Sequence, residues 1–561
     1  MLVILEDGPS ARRVYRHPRA ILSARTTAEV PAVLAAIDAA LDQGRHVAGW
    51  LGYELGYALE PRLQPLAGNG GPLLHLGVFD QPSGDTPQSS GRAYAGPLER
   101  EWDEDAYGAR FGRVKAYIAA GDIYQANLSF RARFAFAGDP LALYEGLREK
   151  SGAGHCAYAD DGERQLLSLS PELFFALTQD GAVTARPMKG TAPRDGDDEA
   201  ARQRLAASEK DRAENLMIVD LIRNDLSRVA ETGSIGVSDL FHVETYPTLH
   251  AMVSTVSGRK RAKVGASDIL RALFPCGSVT GAPKIRAMEI LRELETSPRG
   301  AYCGAIGSFA PDGSARFNVA IRTLTVMGGR GELGIGGGVV QDSQEALEYA
   351  ECRLKARFFE SARRPLELIE TLRFANGFAR GERHLARMAA SARLFGLPFD
   401  RIKAEQALTQ AVGEMAGPLR VRLSLDEAGN HKAVTAALPP NPDFWTWRLS
   451  GARTQSKDLL LRHKTSWREL YDREAAQAGT DEVLLRNERD EITEGARSNV
   501  FVRRGGVLLT PPLDCGALNG CLRAELIEQK LAREERLTVK DLDGDVFLGN
   551  SLRGLIPARP G

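Results

Sequence analysis

The pattern of this chain breaks at Ser361-Ala362-Arg363-Arg364-Pro365, and no other feature constrains its fold as much. A helical run ends near Arg357-Phe358-Phe359-Glu360, the proline disfavours helix at the residue before it, and a fresh apolar sequence starts at Leu366-Glu367-Leu368-Ile369-Glu370. A chain of 561 residues is long for a single core. Two domains are expected, 1–362 and 366–561, and no internal repeat relates them. Segments 73–79 and 166–170 read as strands, while 200–225 and 343–362 have the length and apolar spacing of amphipathic helices. The fold class is mixed α/β (α+β). Residues 63–97, rich in Gly, Pro and Ser, read as a long surface loop or small insertion without a catalytic role.

With 72 basic and 73 acidic residues the formal net charge is −1, which supports neither a nucleic-acid footprint nor a polybasic membrane patch. Small anions must then be held by local sites. No apolar stretch is long enough to span a bilayer, so no membrane partner is expected. Cys156, Cys276, Cys303, Cys352, Cys515 and Cys521 are scattered without a CxxC pair, so neither a disulfide framework nor a zinc site is suggested. A reducing cytoplasm is the simplest location.

Two helix-like segments gather carboxylates. In Ser343-Gln344-Glu345-Ala346-Leu347-Glu348-Tyr349-Ala350-Glu351 acids recur every three residues, which sets them on one side of a helix, and in Lys210-Asp211-Arg212-Ala213-Glu214 the pair Asp211 and Glu214 has the same spacing. Oxygen ligands suit a hard cation, and Mg2+ fits because it keeps waters and bridges to a ligand's own oxygens. Either segment alone reads more simply as a solvated acidic face. Glycine-rich neighbours favour a site. Gly334-Ile335-Gly336-Gly337-Gly338 precedes the acidic helix, where glycines let backbone N–H groups approach an anion. Gly277-Ser278-Val279-Thr280-Gly281-Ala282-Pro283-Lys284 opens another helix, with Pro283 near its first turn. Arg322 and Lys189 add the positive charge that a dianionic ligand requires. These residue types imply a metal and carboxylate pocket and go no further.

The same segments, in order and wording, resemble the chorismate-utilising enzymes. The matches are Gly121-Asp122-Ile123-Tyr124-Gln125-Ala126-Asn127-Leu128-Ser129, Ser168-Leu169-Ser170-Pro171-Glu172, Pro187-Met188-Lys189-Gly190-Thr191 and the segments around Glu214, Gly281 and Glu351, across roughly residues 45–360. The resemblance implies a large α/β sandwich with two big sheets and helices outside. It implies Glu214, Glu348 and Glu351 as Mg2+ ligands, with Asp211 nearby. It further implies that Tyr302, Arg322, Thr280 and the amides of Gly336, Gly337 and Gly338 bind chorismate, with His250 beside its ring.

Within that family, enzymes resembling anthranilate synthase have alanine where this chain has Lys189, and aminodeoxychorismate synthases have lysine. The lysine implies attack of its amine on ring carbon 2 while the 4-hydroxyl leaves, after which ammonia bonds to carbon 4. Glu172 resembles the general acid for the departing hydroxyl. Gln125 stands where the water-adding isochorismate enzymes carry a lysine base, which argues against isochorismate formation. No cysteine lies in a Gly-x-Cys-x-Gly nucleophile setting, so ammonia is expected from solution or from a separate glutamine amidotransferase.

Beyond the break, Arg383-His384-Leu385-Ala386-Arg387, Arg462-His463-Lys464-Thr465-Ser466, Ile492-Thr493-Glu494-Gly495-Ala496-Arg497-Ser498-Asn499 and Gly516-Ala517-Leu518-Asn519-Gly520-Cys521-Leu522-Arg523 are ordinary charges and turns when taken singly. Their order resembles the fold-type IV pyridoxal-phosphate enzymes, the class containing branched-chain and D-amino-acid aminotransferases and aminodeoxychorismate lyase, from about residue 366 to the end. The resemblance implies that Lys464 is the Schiff-base lysine, Glu494 the partner of the pyridine nitrogen and Arg387 a holder of the phosphate of pyridoxal 5'-phosphate. Cys521 and Leu522 at a helix start, and Ser551 in Asn550-Ser551, would be further grips.

A lyase beside an aminating domain gives a path from chorismate to p-aminobenzoate, a folate precursor, plus pyruvate. Two alternatives stand beside it. One is an anthranilate-type synthase joined to an aminotransferase, which Lys189 opposes. The other is a second domain without catalysis, which a yellow colour from bound cofactor would exclude.

Overall fold

The computed structural model describes residues 1–8, 12–68, 71–194, 196–246, 249–415 and 417–561. They form two compact units. One comprises Met1–Pro87, Leu98–Phe134 and Tyr144–Ala362, and the other Gln88–Pro97, Ala135–Leu143 and Arg363–Gly561.

Two large sheets build the first unit. One has the strand order Gly281–Ala282, Gln125–Gly138, Arg330–Val339, Thr323–Met327, Arg164–Ser170, His155–Asp160, Leu2–Glu6, Arg12–Arg16. The other runs Met188–Pro193, Leu249–Arg259, Ala182–Arg186, Leu173–Leu177, Ala315–Val319, Ala305–Phe309, His46–Leu51, Leu74–Phe79, Ala20–Ala24. Val3, Tyr15 and Leu166 of the first sheet share a buried cluster with Trp50, Phe79 and Ile306 of the second, so the two pack face to face. The opposite face of the second sheet is covered by helices. Leu34 and Ile37 of helix Val30–Asp42, Ile218 and Ile222 of Glu209–Ser227, and Ile269 of Ala266–Leu273 bury against Val47, Phe175 and Phe317. Their spacing of three or four residues is the helical stripe, and each such side chain contributes roughly 1.5–3 kcal/mol by leaving water.

Three sequence expectations change here. The run 200–225 is two helices, Asp198–Ala207 and Glu209–Ser227. Ser208 between them has extended backbone, and its hydroxyl accepts the Asp211 N–H at 3.3 Å, which caps a new helix. Gly334 to Gly338 do not form the turn that glycine-rich runs usually mark but lie inside the strand Arg330–Val339. The Tyr302 ring occupies the place where a Gly334 side chain would start, and a Cβ on Gly336 would stand 2.6 Å from the Leu128 carbonyl oxygen. Nor are residues 63–97 one loop. Leu74–Phe79 is a strand between His46–Leu51 and Ala20–Ala24, Asn69 and Gly70 lie outside the described residues, and Gln88–Pro97 falls in the second unit. There Tyr94 packs edge-on against Phe395 at 5.3 Å and its hydroxyl donates to Glu427 at 2.9 Å.

The second unit contains a three-stranded antiparallel sheet, Leu368–Phe374, Leu419–Leu425 and His431–Ala437. In Leu419–Leu425 the residues Leu419, Val421, Leu423 and Leu425 are buried while Arg420 and Arg422 face outward, the two-residue period of a half-buried strand. Helix Gly381–Phe395 buries His384, Leu385, Met388 and Phe395 on one face and stops at Gly396, whose left-handed φ of 67° closes the last turn. An eight-stranded mixed sheet follows, ordered Ile492–Gly495, Glu482–Asn487, Trp445–Thr454, Gly554–Pro560, Asp545–Asn550, Asn499–Arg504, Val507–Thr510, Ala532–Glu534. Among the described residues no helix is long and apolar enough to cross a membrane, and all six cysteines are free thiols in buried positions.

Candidate active sites

In the first unit one cavity of about 200 Å³ gathers Glu172, Lys189, Tyr302, Arg322, Gly336 and Gly338 with the acids Glu214, Glu348 and Glu351. Glu172 follows strand Arg164–Ser170 and is 3% exposed, and its Oε1 has no partner among the described residues. Burial pushes its carboxyl up to about 7, against Ser278 and the charge of Lys189, which pull it down. Lys189 lies on the edge strand Met188–Pro193. Its Nζ would be 3.2 Å from a Cβ on Gly338, and the buried Gln125 amide 2.6 Å from it, so glycine leaves room for both. Arg322 holds a left-handed backbone at φ 49° and lines the cavity without a carboxylate partner among the described residues. Burial lowers its pKa, as expected of a cation that awaits an anion.

The acids come from two helices, Glu209–Ser227 and Glu345–Glu360. Lys210 Nζ lies 3.9 Å from Glu214 Oε1 and 3.7 Å from Glu348 Oε1. Lys355 Nζ lies 2.8 Å from Glu351 and donates to the Gly336 carbonyl at 2.9 Å. Two carboxylates around the Lys210 ammonium and a third paired with Lys355 form a hard-oxygen donor set with stand-in cations among them, which fits Mg2+. They are not drawn tight: among the described residues, the three-ligand group with donor atoms within 4.8 Å of one another is Glu370, His384 and Cys521 of the second unit. The sequence reading missed Lys210 and Lys355, although each stands four residues from the acid it pairs with, a helical spacing.

His250, Thr280 and Gly337 are not among the residues that line this cavity. His250 is fully buried on strand Leu249–Arg259, with Nδ1 3.0 Å from Thr245 Oγ1 and Nε2 3.4 Å from Asp198. The Thr280 hydroxyl donates to the Gly277 carbonyl at 3.0 Å, which spends it on the local turn.

A larger cavity of about 590 Å³ lies in the second unit, lined by Lys464, Glu494, Arg387, His384, Cys521 and Ser551, among others. Lys464 is not on a helix. It follows the short turn Leu459–Arg462, and its carbonyl accepts the Ile369 N–H at 2.9 Å. Burial, then the charges of Arg468 and Arg387, lower its pKa to about 8. Glu494, on strand Ile492–Gly495, accepts the Tyr471 hydroxyl at 2.6 Å and the Leu518 N–H at 3.0 Å, while burial raises its carboxyl to about 6.

Arg387 is bonded to Glu370 and to the Asn519 carbonyl, which leaves two of its five N–H groups free. Cys521 and Leu522 open helix Cys521–Glu528 behind Gly520. An ammonium of lowered pKa, a carboxylate deep in the cavity, and an arginine beside a helix start together fit a phosphate-bearing pyridine aldehyde. Leu522, which the resemblance set at the phosphate, is not among the lining residues, whereas Cys521 and Ser551 are. Glu370 and Tyr471 were missed by the sequence reading.

Residues 3–361 match the family model described as chorismate binding enzyme, and residues 367–560 match that of amino-transferase class IV. The chain belongs to the family of chorismate binding enzymes, with a class IV aminotransferase domain after it. Among its relatives is aminodeoxychorismate synthase component 1 of Klebsiella aerogenes, 48% identical over 250 residues that cover 44% of this chain and 55% of the relative. The protein of the same name from Escherichia coli K12 is 44% identical over 261 residues, 45% of this chain and 57% of the relative. The chain thus spans about half the length of these curated relatives. The structure of anthranilate synthase component I from Streptococcus pneumoniae TIGR4 matches with a TM-score of 0.52 and 25% identity, over 64% of this chain and 89% of that one.

Proposed function

We propose that residues 3–361 replace the 4-hydroxyl of chorismate with an amino group, and that residues 367–560 split the product into p-aminobenzoate and pyruvate. The observation that carries this reading is the first cavity, where a lysine amine, a carboxyl raised to about 7 and an unpaired, half-buried arginine stand beside three carboxylates. The Lys189 amine bonds to ring carbon 2 as the 4-hydroxyl leaves, and Glu172 gives that hydroxyl its proton, so it departs as water. Ammonia then bonds to carbon 4, the bond between Lys189 and carbon 2 breaks, and Glu172 takes the proton that ammonia sheds. Arg322, Tyr302 and the Gly336 to Gly338 strand hold the substrate's carboxylates. Mg2+ at Glu214, Glu348 and Glu351 would offset their charge.

In the second cavity, pyridoxal phosphate supplies an electron sink. Lys464 would anchor it and move the proton that releases pyruvate, and Glu494 would pair with its ring nitrogen. Arg420 and Arg422, which also line this cavity and have no ion pair among the described residues, support a substrate with two carboxylates over an apolar amino acid. The relatives' designation as component 1 supports a second component, to which we assign the role of glutamine amidotransferase. Six buried thiols support a reducing, cytoplasmic location.

Purified protein given chorismate, ammonium and Mg2+ is the direct test, with p-aminobenzoate the expected product by chromatography; anthranilate in its place would overturn the reading. In excess chelator, chorismate consumption is expected to stop while supplied aminodeoxychorismate is still converted. Amination at full rate under chelation would remove the metal from the scheme. Glu172 acts as a protonated acid, so the first reaction should lose rate as pH rises through about 7. Glu172→Gln is expected to slow it by on the order of 10²- to 10⁴-fold and to flatten that limb. A variant that keeps the limb assigns the titration to another group.

A further inference from the structure

Behind the lining of the second cavity, against Arg387 and His384, lies a buried carboxylate that none of these roles uses. Glu370, on strand Leu368–Phe374, is 1% exposed. It accepts Arg387 Nε at 2.9 Å and Arg387 Nη2 at 2.6 Å. His384 Nδ1 lies 2.6 Å from the same carboxylate, and His384 Nε2 lies 2.8 Å from Ser551 Oγ. A carboxylate can only accept, so Nδ1 carries the imidazole proton. One acid therefore braces two groups from opposite ends of this unit's sequence: the arginine of helix Gly381–Phe395 and the serine just past strand Asp545–Asn550. The third Arg387 bond, to the Asn519 carbonyl at 2.8 Å, ties the guanidinium to the residue before Gly520 and helix Cys521–Glu528.

Burying an ionised carboxylate is costly unless its charge is paired and hydrogen-bonded. Burial works to raise the Glu370 pKa, yet Arg387 and His384 hold it down to about 2. The acid is thus ionised and fully covered by its two partners. Arg387 alone would need only a counter-charge, and His384 alone only an acceptor. A single carboxylate serving both makes the separation of the guanidinium and the serine hydroxyl fixed rather than adjustable.

We propose that Glu370 is a positioning residue for the phosphate group of the ligand, aiming the two free N–H groups of Arg387 and, through His384, fixing the hydroxyl of Ser551. This rests on the reading that the cavity takes pyridoxal phosphate. Glu370 itself touches no ligand atom. Its effect should therefore appear in how well the protein tells a phosphorylated ligand from the same ligand without phosphate, a contrast that a purely structural role would not move.

The experiment titrates the full chain, freed of cofactor, with pyridoxal phosphate and separately with pyridoxal, following the absorbance of bound ligand. The parent protein is expected to prefer the phosphorylated form strongly. Glu370→Gln should lower that preference by on the order of 10- to 100-fold, the range for a lost charge-assisted contact, with pyridoxal affinity unchanged. His384→Gln cuts only the serine arm and should lower it less. The double variant should lose no more than Glu370→Gln alone, because the two lie on one line of contacts. His384→Gln also serves if Glu370→Gln fails to fold by circular dichroism. Parent-like preference in these variants, or equal losses for both ligands, overturns the proposal. A parent protein that shows no phosphate preference overturns the cofactor reading, and this inference with it.

Discussion

Lys189→Ala is expected to slow the amination of chorismate by on the order of 10³-fold or more, the scale on which a positioned nucleophile or acid acts. Without the amine, ammonia must attack the ring directly, and part of the remaining flux should go to carbon 2, giving an anthranilate precursor. The neighbourhood adds a second signature. The charge of Lys189 is one of the influences that hold the Glu172 pKa down, so its removal should move the alkaline limb of the pH profile upward from about 7. Rate, product identity and that limb can be read from one set of assays. If rate and product both match the parent, Lys189 is not the nucleophile.

Lys464→Ala is expected to abolish p-aminobenzoate release while aminodeoxychorismate accumulates from chorismate. In the proposed reaction the side chain has two tasks, anchoring the cofactor and moving a proton, and its pKa near 8 leaves an appreciable fraction as free amine at neutral pH. Alanine removes both. The first cavity shares no residue with the second, so amination should continue at the parent rate. The proposed phosphate contacts at Arg387 and the start of helix Cys521–Glu528 would still hold some cofactor, so product formation and the absorbance of lysine-bound cofactor must be followed together. Parent-rate pyruvate release with an unchanged band would show that this lysine is not the working group.

What could be read from the sequence is what local pattern decides. The strands near 74–79 and 164–170 and the helix beginning at Glu345 follow from their apolar spacing, and the break after Ser361 follows from Pro365. The cap that splits 200–225 was also within reach, since Ser208 and Asp211 have the separation of a helix start. The Gly334 to Gly338 run misled because glycines usually mark turns. Here they make room for the Tyr302 ring and a neighbouring strand's carbonyl, a requirement set by residues distant in the chain. Resemblance brought Glu172, Lys189, Arg322 and the three acids to one cavity but left His250 and Thr280 outside its lining. Glu370 could not be found by spacing, because one of the bonds that define its role joins His384 to a serine 167 residues further on.

The two lysines among the acids of the first cavity make that cradle an ion exchanger rather than an empty cage. Lys210, whose side chain is 53% exposed, can swing into water at little cost, whereas Lys355 is held by Glu351 and the Gly336 carbonyl. Loading Mg2+ then means swapping one tethered cation for a free one, not quenching a bare cluster of negative charge. The melting temperature should therefore rise only slightly with Mg2+, even though the proposed amination requires it.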